Sequence, residues 1–138
     1  MQQYDVVIIG ASAAGVTAAI TARRHYPEKS ILVLRKEILV PIPCGIPYTF
    51  GVVGIPEKNL IPADDLFSKN SIATVVGEVI EIDRSGSTVV MSKGERFGYQ
   101  RLVIATGSNP VVPPLPGIGQ PPSGMHAWRR NAESEIVV

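Results

Sequence analysis

The fold class of this chain follows from residues 4–34, YDVVIIGASAAGVTAAITARRHYPEKSILVL. Residues 4–9, YDVVII, are mostly apolar and β-branched, which is typical of a parallel strand buried on both faces. Residues 13–24 are rich in alanine and end in basic side chains before Pro27, which predicts a helix. Residues 31–34 predict a second strand, so the stretch forms a right-handed βαβ unit of about thirty residues.

The turn after the first strand has the sequence GASAAG, residues 10–15. Gly10 permits a tight turn, Gly15 allows the helix to pack closely on the strand, and the helix N-terminus offers free N–H groups to a pyrophosphate. Ser12 replaces the middle glycine of the G-x-G-x-x-G pattern and is small enough to allow close backbone approach. The pattern alone is equally typical of a structural turn, but its place inside a βαβ unit indicates a dinucleotide site.

The rest of the chain predicts further strands around an irregular loop. Residues 41–62 are dense in Pro and Gly and predict irregular structure over the end of the sheet. We expect an α/β fold with a Rossmann-like parallel sheet and a small antiparallel β-meander. The predicted elements are a short helix at 63–70, one or two strands at 72–82, a strand at 88–92 whose meander extends to Phe97, and a separate strand at 101–105.

The end of the second strand leaves the nucleotide undecided. A dinucleotide fold normally has an acidic residue there to receive the ribose hydroxyls, whereas this chain has Arg35. An arginine suits a 2′-phosphate and hence NADP. Alternatively, Arg35 and Lys36 are solvated charges, and Glu37 bonds a ribose instead. This position by itself does not distinguish FAD from NADP.

Cys44, the only cysteine, lies in the segment PCGIPY, residues 43–48. A lone cysteine is commonly a small buried hydrophobe. In a loop over the carboxyl edge of the sheet, however, it would face the ligand crevice, where a positive dipole could stabilise a reactive thiolate. Ala105, Thr106 and Gly107 close the last predicted strand, and a glycine there lets backbone approach a ligand.

Composition excludes several classes of partner. The chain has 13 Lys and Arg against 12 Asp and Glu, so charge gives no reason to expect nucleic acid or an anionic membrane surface. Residues 6–22 are apolar enough to suggest a membrane helix, but Gly10 and Gly15 interrupt them and we expect no membrane association. One cysteine excludes an internal disulfide and fits a reducing, cytoplasmic compartment. We expect a small-molecule ligand and no metal.

Five motifs in order resemble the N-terminal region of the FAD-dependent pyridine nucleotide-disulfide oxidoreductases: DVVIIGASAAG, ILVLRKE, PCGIPY, GEVIEID and YQRLVIATGSNP. The nearest subgroup has a single redox cysteine and includes coenzyme A-disulfide reductases, NADH oxidases, NADH peroxidases and persulfide reductases. The resemblance implies that residues 1–110 form the front part of a truncated FAD-binding domain. Residues 111–138 would be a linker and the start of the crossover towards an NAD-binding domain. The full-length enzyme would be a homodimer, and the fragment alone would be inactive.

The resemblance also implies roles for individual residues. NAD(P)H would reduce FAD, and Cys44 would pass the electrons to a small disulfide, a persulfide or an oxygen species, cycling between a thiolate and either a mixed disulfide with coenzyme A or a sulfenic acid. Arg24 would contact coenzyme A. The cofactor-binding positions would be Gly10, Ser12, Ala14 and Gly15 at the pyrophosphate, Arg35 and Lys36 at the adenosine ribose, Val79 at the adenine, and Pro43, Ala105, Thr106 and Gly107 on the flavin side.

Three departures from the family pattern limit this assignment. Arg35 stands at the strand-end acid, the loop from Arg35 to Cys44 is about one residue shorter than in the family, and Val40 stands where the family has a serine. Two other functions therefore stay open, namely a non-catalytic nucleotide-binding module or split subunit, and a fragment of an NADP-binding reductase.

Overall fold

The computed structural model describes residues 1–108, 129–130 and 136–137. The chain divides into two compact units, Met1–Gly107 and Ser108–Val138. In the second unit, the strands Arg129–Arg130 and Ile136–Val137 pair antiparallel. Most of the predicted linker and crossover at 111–138 lies outside the described residues, so that prediction remains a prediction.

The first unit is a six-stranded sheet with two α-helices. In chain order the elements are β1 (Gln2–Ile9), α1 (Ala13–His25), β2 (Ile31–Arg35), the 3₁₀ helices Pro43–Phe50 and Pro56–Asn59, α2 (Ala63–Lys69), β3 (Ala73–Val76), β4 (Val79–Asp83), β5 (Thr88–Met91) and β6 (Arg96–Ile104). The strand order is β3-β2-β1-β6-β5-β4. The two short 3₁₀ helices lie in the loop between β2 and α2.

The parallel half of the sheet confirms the predicted α/β, Rossmann-like architecture. β1 pairs in parallel with both β2 and β6, and β2 pairs in parallel with β3. All five residues of β2 are buried, as expected for a strand covered on both faces. The predicted segment 72–82 contains two strands with different partners, since β3 joins the parallel half and β4 pairs with β5.

The predicted strand at 101–105 is present, but it is the second part of a longer strand and not a separate one. β6 is continuous from Arg96 to Ile104, and its first residues pair antiparallel with β5 while residues 97–104 pair in parallel with β1. The last strand of the meander and the fourth parallel strand are therefore one element. Gly98, Gln100 and Arg101 interrupt its apolar pattern, which is why the sequence suggested two pieces.

Alternate residues of the central strands form two cores. Ile8 and Val33 face the helices and pack in one cluster with Phe67 of α2. Val7 and Leu34 face the opposite side and pack with side chains that include Val89, Met91 and Phe97. The meander thus covers one face of the sheet and the helices cover the other.

The apolar run at 6–22 is shared between two elements. β1 ends at Ile9 and α1 begins at Ala13, with the Gly10 turn between them. Within the described ranges, no helix is long and apolar enough to span a bilayer.

Asp5 connects the middle of β1 to the two residues that precede β2. Its carboxylate accepts hydrogen bonds from the backbone N and Oγ of Ser30, at 2.8 and 2.7 Å, and from Nζ of Lys29 at 3.1 Å. The backbone N of Asp5 donates in turn to Oγ of Ser30 at 2.8 Å. The hydrogen bonds from Ser30, and then Lys29, lower the pKa of Asp5 to about 2.

We predict that Asp5→Asn lowers the melting temperature at neutral pH and that this difference fades in acid. The folded pKa of about 2 lies below the ~3.9 of a free aspartate, so the carboxylate stabilises the fold fully above about pH 4. This stabilisation is lost as the pH falls through about 2. Thermal unfolding across this range tests the prediction, with Asp65→Asn as the charge-matched control. A difference that stays constant with pH would contradict it.

Candidate functional site

The turn between β1 and α1 leaves no room for a side chain at Gly10 or at Gly15. Gly10 has a φ of +107°, and a Cβ there would overlap the backbone carbonyl of Ala105. A Cβ on Gly15 would overlap the carbonyl of Gly10. The backbone N of Gly10 donates to the carbonyl of Leu34 at 2.8 Å. The ends of β1, β2 and β6 and the start of α1 therefore converge on this turn.

The N-terminus of α1 is open. Ser12 is the N-cap residue and its side chain makes no capping hydrogen bond. Ala13 and Ala14 are exposed, and the first turn contains no acidic residue. Because the first N–H groups of a helix lack intrahelical acceptors, this end presents donors and a positive dipole to an anion. Ser12, Ala14 and the two glycines thus fit a pyrophosphate.

The end of β6 completes the same edge. The backbone N of Ala105 donates to the carbonyl of Ile9 at 2.8 Å, which holds Ala105 against the Gly10 turn. Thr106 and Gly107 follow and are exposed. The structure therefore brings these three predicted residues together with the glycine turn.

Arg35 at the end of β2 is buried, and the interpretation that it is a solvated charge was wrong. Its side chain is only 4% exposed. Nη2 is paired with the carboxylate of Asp64 on α2, and Nη1 donates to the carbonyl of Ile38 at 3.2 Å. Nε is buried without a hydrogen-bond partner among the described residues. The guanidinium is directed into the protein, and Asp64 supplies the anion that a buried cation requires.

Lys36 is exposed and also paired. Its Nζ lies 2.9 Å from Oε1 of Glu78. The backbone N of Gly77 donates to the carbonyl of Arg35 at 2.8 Å, so the connection between β3 and β4 lies against the end of β2. Val79 opens β4 directly after Glu78. Val79, predicted to lie at the adenine, is therefore a neighbour of Arg35 and Lys36, which were predicted to lie at the ribose.

Cys44 is exposed near the start of the first 3₁₀ helix. We call residues 42–59 the cysteine flap. Backbone hydrogen bonds close its base, from Ile61 N to the carbonyl of Val40 and from Ile42 N to the carbonyl of Asn59, both at 2.8 Å. Because the flap connects the end of β2 to the start of α2, it is anchored at the carboxyl edge of the sheet. The side chain of Pro43 lies outside the described part of the chain.

Asn59 fixes the inside of the flap. Its side chain is buried, and Nδ2 donates to the carbonyl of Ile42 at 3.0 Å. The same carbonyl accepts from Gly45 N at 3.0 Å, and a Cβ on Gly45 would overlap the Asn59 side chain. Asn59 thus contacts the residues on both sides of the Pro43–Cys44 dipeptide.

Arg24 is not brought to this edge near Gly10. It is exposed in the last turn of α1, about 18 Å along the helix from Ser12. Its neighbour Arg23 has a structural role, because its guanidinium donates to the carbonyls of Asn70 and Ser71 at 3.0 and 2.9 Å. Arg24 can therefore contact only a ligand that extends well away from the glycine turn.

Two further residues of the site, Asn59 and Asp64, were not predicted from the sequence. Nothing in the local sequence distinguishes Asn59, since its role depends on a contact that closes a loop. Asp64 could have been noticed, because it opens a predicted helix that precedes a parallel strand. Such a helix places its first turn at the carboxyl edge of the sheet.

A parallel sheet whose first βα turn opens a helix N-terminus defines a dinucleotide-binding protein of the Rossmann type. The family profile described as pyridine nucleotide-disulphide oxidoreductase matches residues 4–134. The chain belongs to this family, which confirms the predicted resemblance. The family uses FAD and NAD(P)H, the cofactors expected from the sequence.

Individual relatives agree with this assignment. The chain is 31% identical over 122 residues to the NADH-dependent phenylglyoxylate dehydrogenase subunit epsilon of Aromatoleum evansii, covering 86% of this chain and 28% of that protein. It is 36% identical over 117 residues to the NAD(P)H coenzyme A polysulfide/persulfide reductase of Pyrococcus horikoshii, covering 82% and 26%. The solved NAD-dependent persulfide reductase from A. fulgidus matches with a TM-score of 0.72 and 35% identity, covering 83% and 24%. The chain thus spans little more than a quarter of the curated relatives' length.

We predict that Gly10→Ala abolishes FAD binding and destabilises the fold. The added Cβ would overlap the carbonyl of Ala105, and such overpacking costs about 1–3 kcal/mol beyond backbone strain. Gly94→Ala is the matched control, since Gly94 also has a positive φ, +87°, but no atom within contact of the added Cβ. Flavin fluorescence titration and chemical denaturation measure both effects. Equal losses in the two variants would contradict the role of close packing.

Ser12→Gly should leave both stability and FAD affinity nearly unchanged. The Ser12 side chain makes no capping hydrogen bond, and replacing an N-cap serine by glycine costs only a few tenths of a kcal/mol. Glycine also allows closer approach of a pyrophosphate. The same titration tests this expectation, and a severe loss of affinity would show that the hydroxyl itself contacts the ligand.

Proposed function

We propose that this chain is the FAD-binding part of an NAD(P)H-dependent flavoprotein oxidoreductase that reduces a small disulfide, a persulfide or an oxygen species through Cys44. One observation carries the proposal. The Gly10 turn opens a helix N-terminus at the same sheet edge where the cysteine flap is anchored. A pyrophosphate bound at the turn therefore leaves the rest of the cofactor free to extend towards the thiol.

The charges at the end of β2 favour FAD over an NADP-type ligand. A 2′-phosphate needs unpaired positive charge. Arg35 is paired with Asp64, and Lys36 is paired with Glu78. These pairings support binding of a ribose without a phosphate, with Val79 beside the adenine.

FAD, when bound, supplies the two-electron acceptor for hydride from NAD(P)H. The residues of this chain have positioning roles around it. Thr106 and Gly107 would present backbone to the flavin side, and Pro43 and Cys44 would lie towards the isoalloxazine. The exposed Sγ of Cys44 is available to a substrate.

The thiol step is a thiol–disulfide exchange. The Cys44 thiolate attacks one sulfur of a small disulfide, a protein–substrate disulfide forms, and the second half of the substrate leaves as a thiolate. Two electrons delivered to the mixed disulfide restore the thiolate and release the bound half. Cys44 is the only cysteine of residues 1–138, so no second cysteine of this stretch can supply the partner sulfur, and we assign that sulfur to the substrate.

Two relatives support different members of this substrate class. One is a coenzyme A polysulfide/persulfide reductase, which supports a coenzyme A persulfide or disulfide as the substrate, with Arg24 contacting the remote end of coenzyme A. Another, from Methanocaldococcus jannaschii, is an NADH oxidase, which supports an oxygen species as the alternative acceptor. The whole enzyme would be a homodimer in the cytoplasm, where a single thiol stays reduced.

Cys44→Ser should remove mixed-disulfide formation without affecting FAD binding. In wild type, coenzyme A disulfide should add one coenzyme A per chain, as measured by intact-protein mass spectrometry. The variant should add none, because serine cannot exchange with a disulfide at neutral pH. In the whole enzyme, flavin reduction by NAD(P)H should persist while disulfide turnover is lost.

The control for accessibility is the double variant Cys44→Ser with Ser68→Cys, which keeps one exposed thiol but moves it to α2. We expect it to react more slowly than wild type. Equal rates would mean that Cys44 is an ordinary surface thiol. FAD binding without preferential reaction at Cys44 would favour a non-catalytic nucleotide-binding module.

A further inference from the structure

The end of β2 carries a donor where a ribose requires an acceptor. In dinucleotide folds, a carboxylate about twenty residues past the glycine turn accepts hydrogen bonds from the ribose hydroxyls. Here that residue is Arg35, twenty positions after Gly15, and a guanidinium can only donate. A nucleotide site at this edge therefore needs an acceptor from another element.

The structure shows which carboxylate Arg35 holds. Its buried guanidinium pairs through Nη2 with Asp64, while Nη1 donates to the carbonyl of Ile38. Removing either member of such a pair would leave the other without its partner, which is unfavourable for a buried charge. Asp64 is thereby held at the end of β2.

Asp64 also lies at the correct edge and remains accessible. α2 leads into β3, which runs parallel to β2, so the first turn of α2 lies beside the carboxyl ends of these strands. The side chain of Asp64 is 62% exposed although one oxygen contacts Arg35. Its carboxylate can therefore accept hydrogen bonds from a ligand while Arg35 holds it.

We propose that Asp64 is the ribose acceptor of this site and that Arg35 is the residue that positions it. In this chain the acidic residue, Asp64, lies on α2, and Arg35 stands at the strand end where other dinucleotide folds have the acid. The inference rests on the FAD site proposed above and names the residue that recognises the adenosine ribose.

The test combines variants that lack a carboxylate with nucleotides that lack one ribose hydroxyl. The affinities of ADP, 2′-deoxy-ADP and 3′-deoxy-ADP are measured by displacement of FAD from wild type, Asp64→Asn and the control Asp65→Asn, which removes a neighbouring exposed carboxylate. Wild type and the control should prefer ADP over at least one deoxy analogue by about ten-fold, the usual effect of a charged hydrogen bond. Asp64→Asn should lose most of this preference, because a neutral amide oxygen is a weaker acceptor of the hydroxyl hydrogen bond than a carboxylate.

A second variant separates recognition from folding. Arg35→Glu combined with Asp64→Arg keeps the ion pair and returns the acid to the strand end, so discrimination for the hydroxyl should reappear. Undiminished discrimination in Asp64→Asn would overturn the inference. Loss of the discrimination in Glu37→Gln, with Asp64 intact, would also overturn the inference, because Glu37 would then be the acceptor. If wild type bound neither FAD nor ADP, the proposed function would fail, and this inference with it.

Discussion

The contact between Gly10 and the carbonyl of Ala105 is the constraint on which the rest of the structure depends. Neither Gly10 nor Gly15 has room for a Cβ, so the ends of β1 and β6 and the start of α1 meet at backbone distance. This close packing leaves the first N–H groups of α1 uncovered. A ligand with a pyrophosphate can then contact main chain directly, without help from charged side chains. The cofactor site is thus a consequence of how the parallel sheet is packed.

The sequence predicted the parts of the fold that depend on local pattern. The βαβ unit, the glycine turn and the short α2 helix all follow from hydrophobic period and turn residues. β6 was predicted as two pieces because Gly98 and the polar residues after it break the pattern. Its continuity comes from tertiary pairing, with β5 on one side and β1 on the other. A strand that changes partners along its length has no single local signature.

The residues of the predicted site also divide into those that local sequence identifies and those that depend on tertiary contacts. Gly10, Ser12, Ala14, Gly15 and the 105–107 segment were identified from turn chemistry, and the structure brings them together. Arg35 was interpreted as a solvated charge or a phosphate ligand, because its partner Asp64 lies 29 positions away in the chain. The pairing depends on α2 packing beside β2, which only the folded chain reveals. Charge–charge contacts between distant segments are therefore the part of such a site that sequence alone cannot give.

The two halves of the site are held by different forces. The glycine turn belongs to a parallel sheet in which all of β2 and residues 7–9 of β1 are buried, so moving it would disturb both cores. The cysteine flap is held at its base by a few hydrogen bonds and by the Asn59 side chain, while Tyr48 and Val52 on it are exposed. Segments with few buried contacts open locally at a lower free energy than the core. A nucleotide would therefore bind at a rigid glycine turn. The thiol, in contrast, lies on the cysteine flap, which can adjust to the substrate while its ends stay attached to β2 and α2.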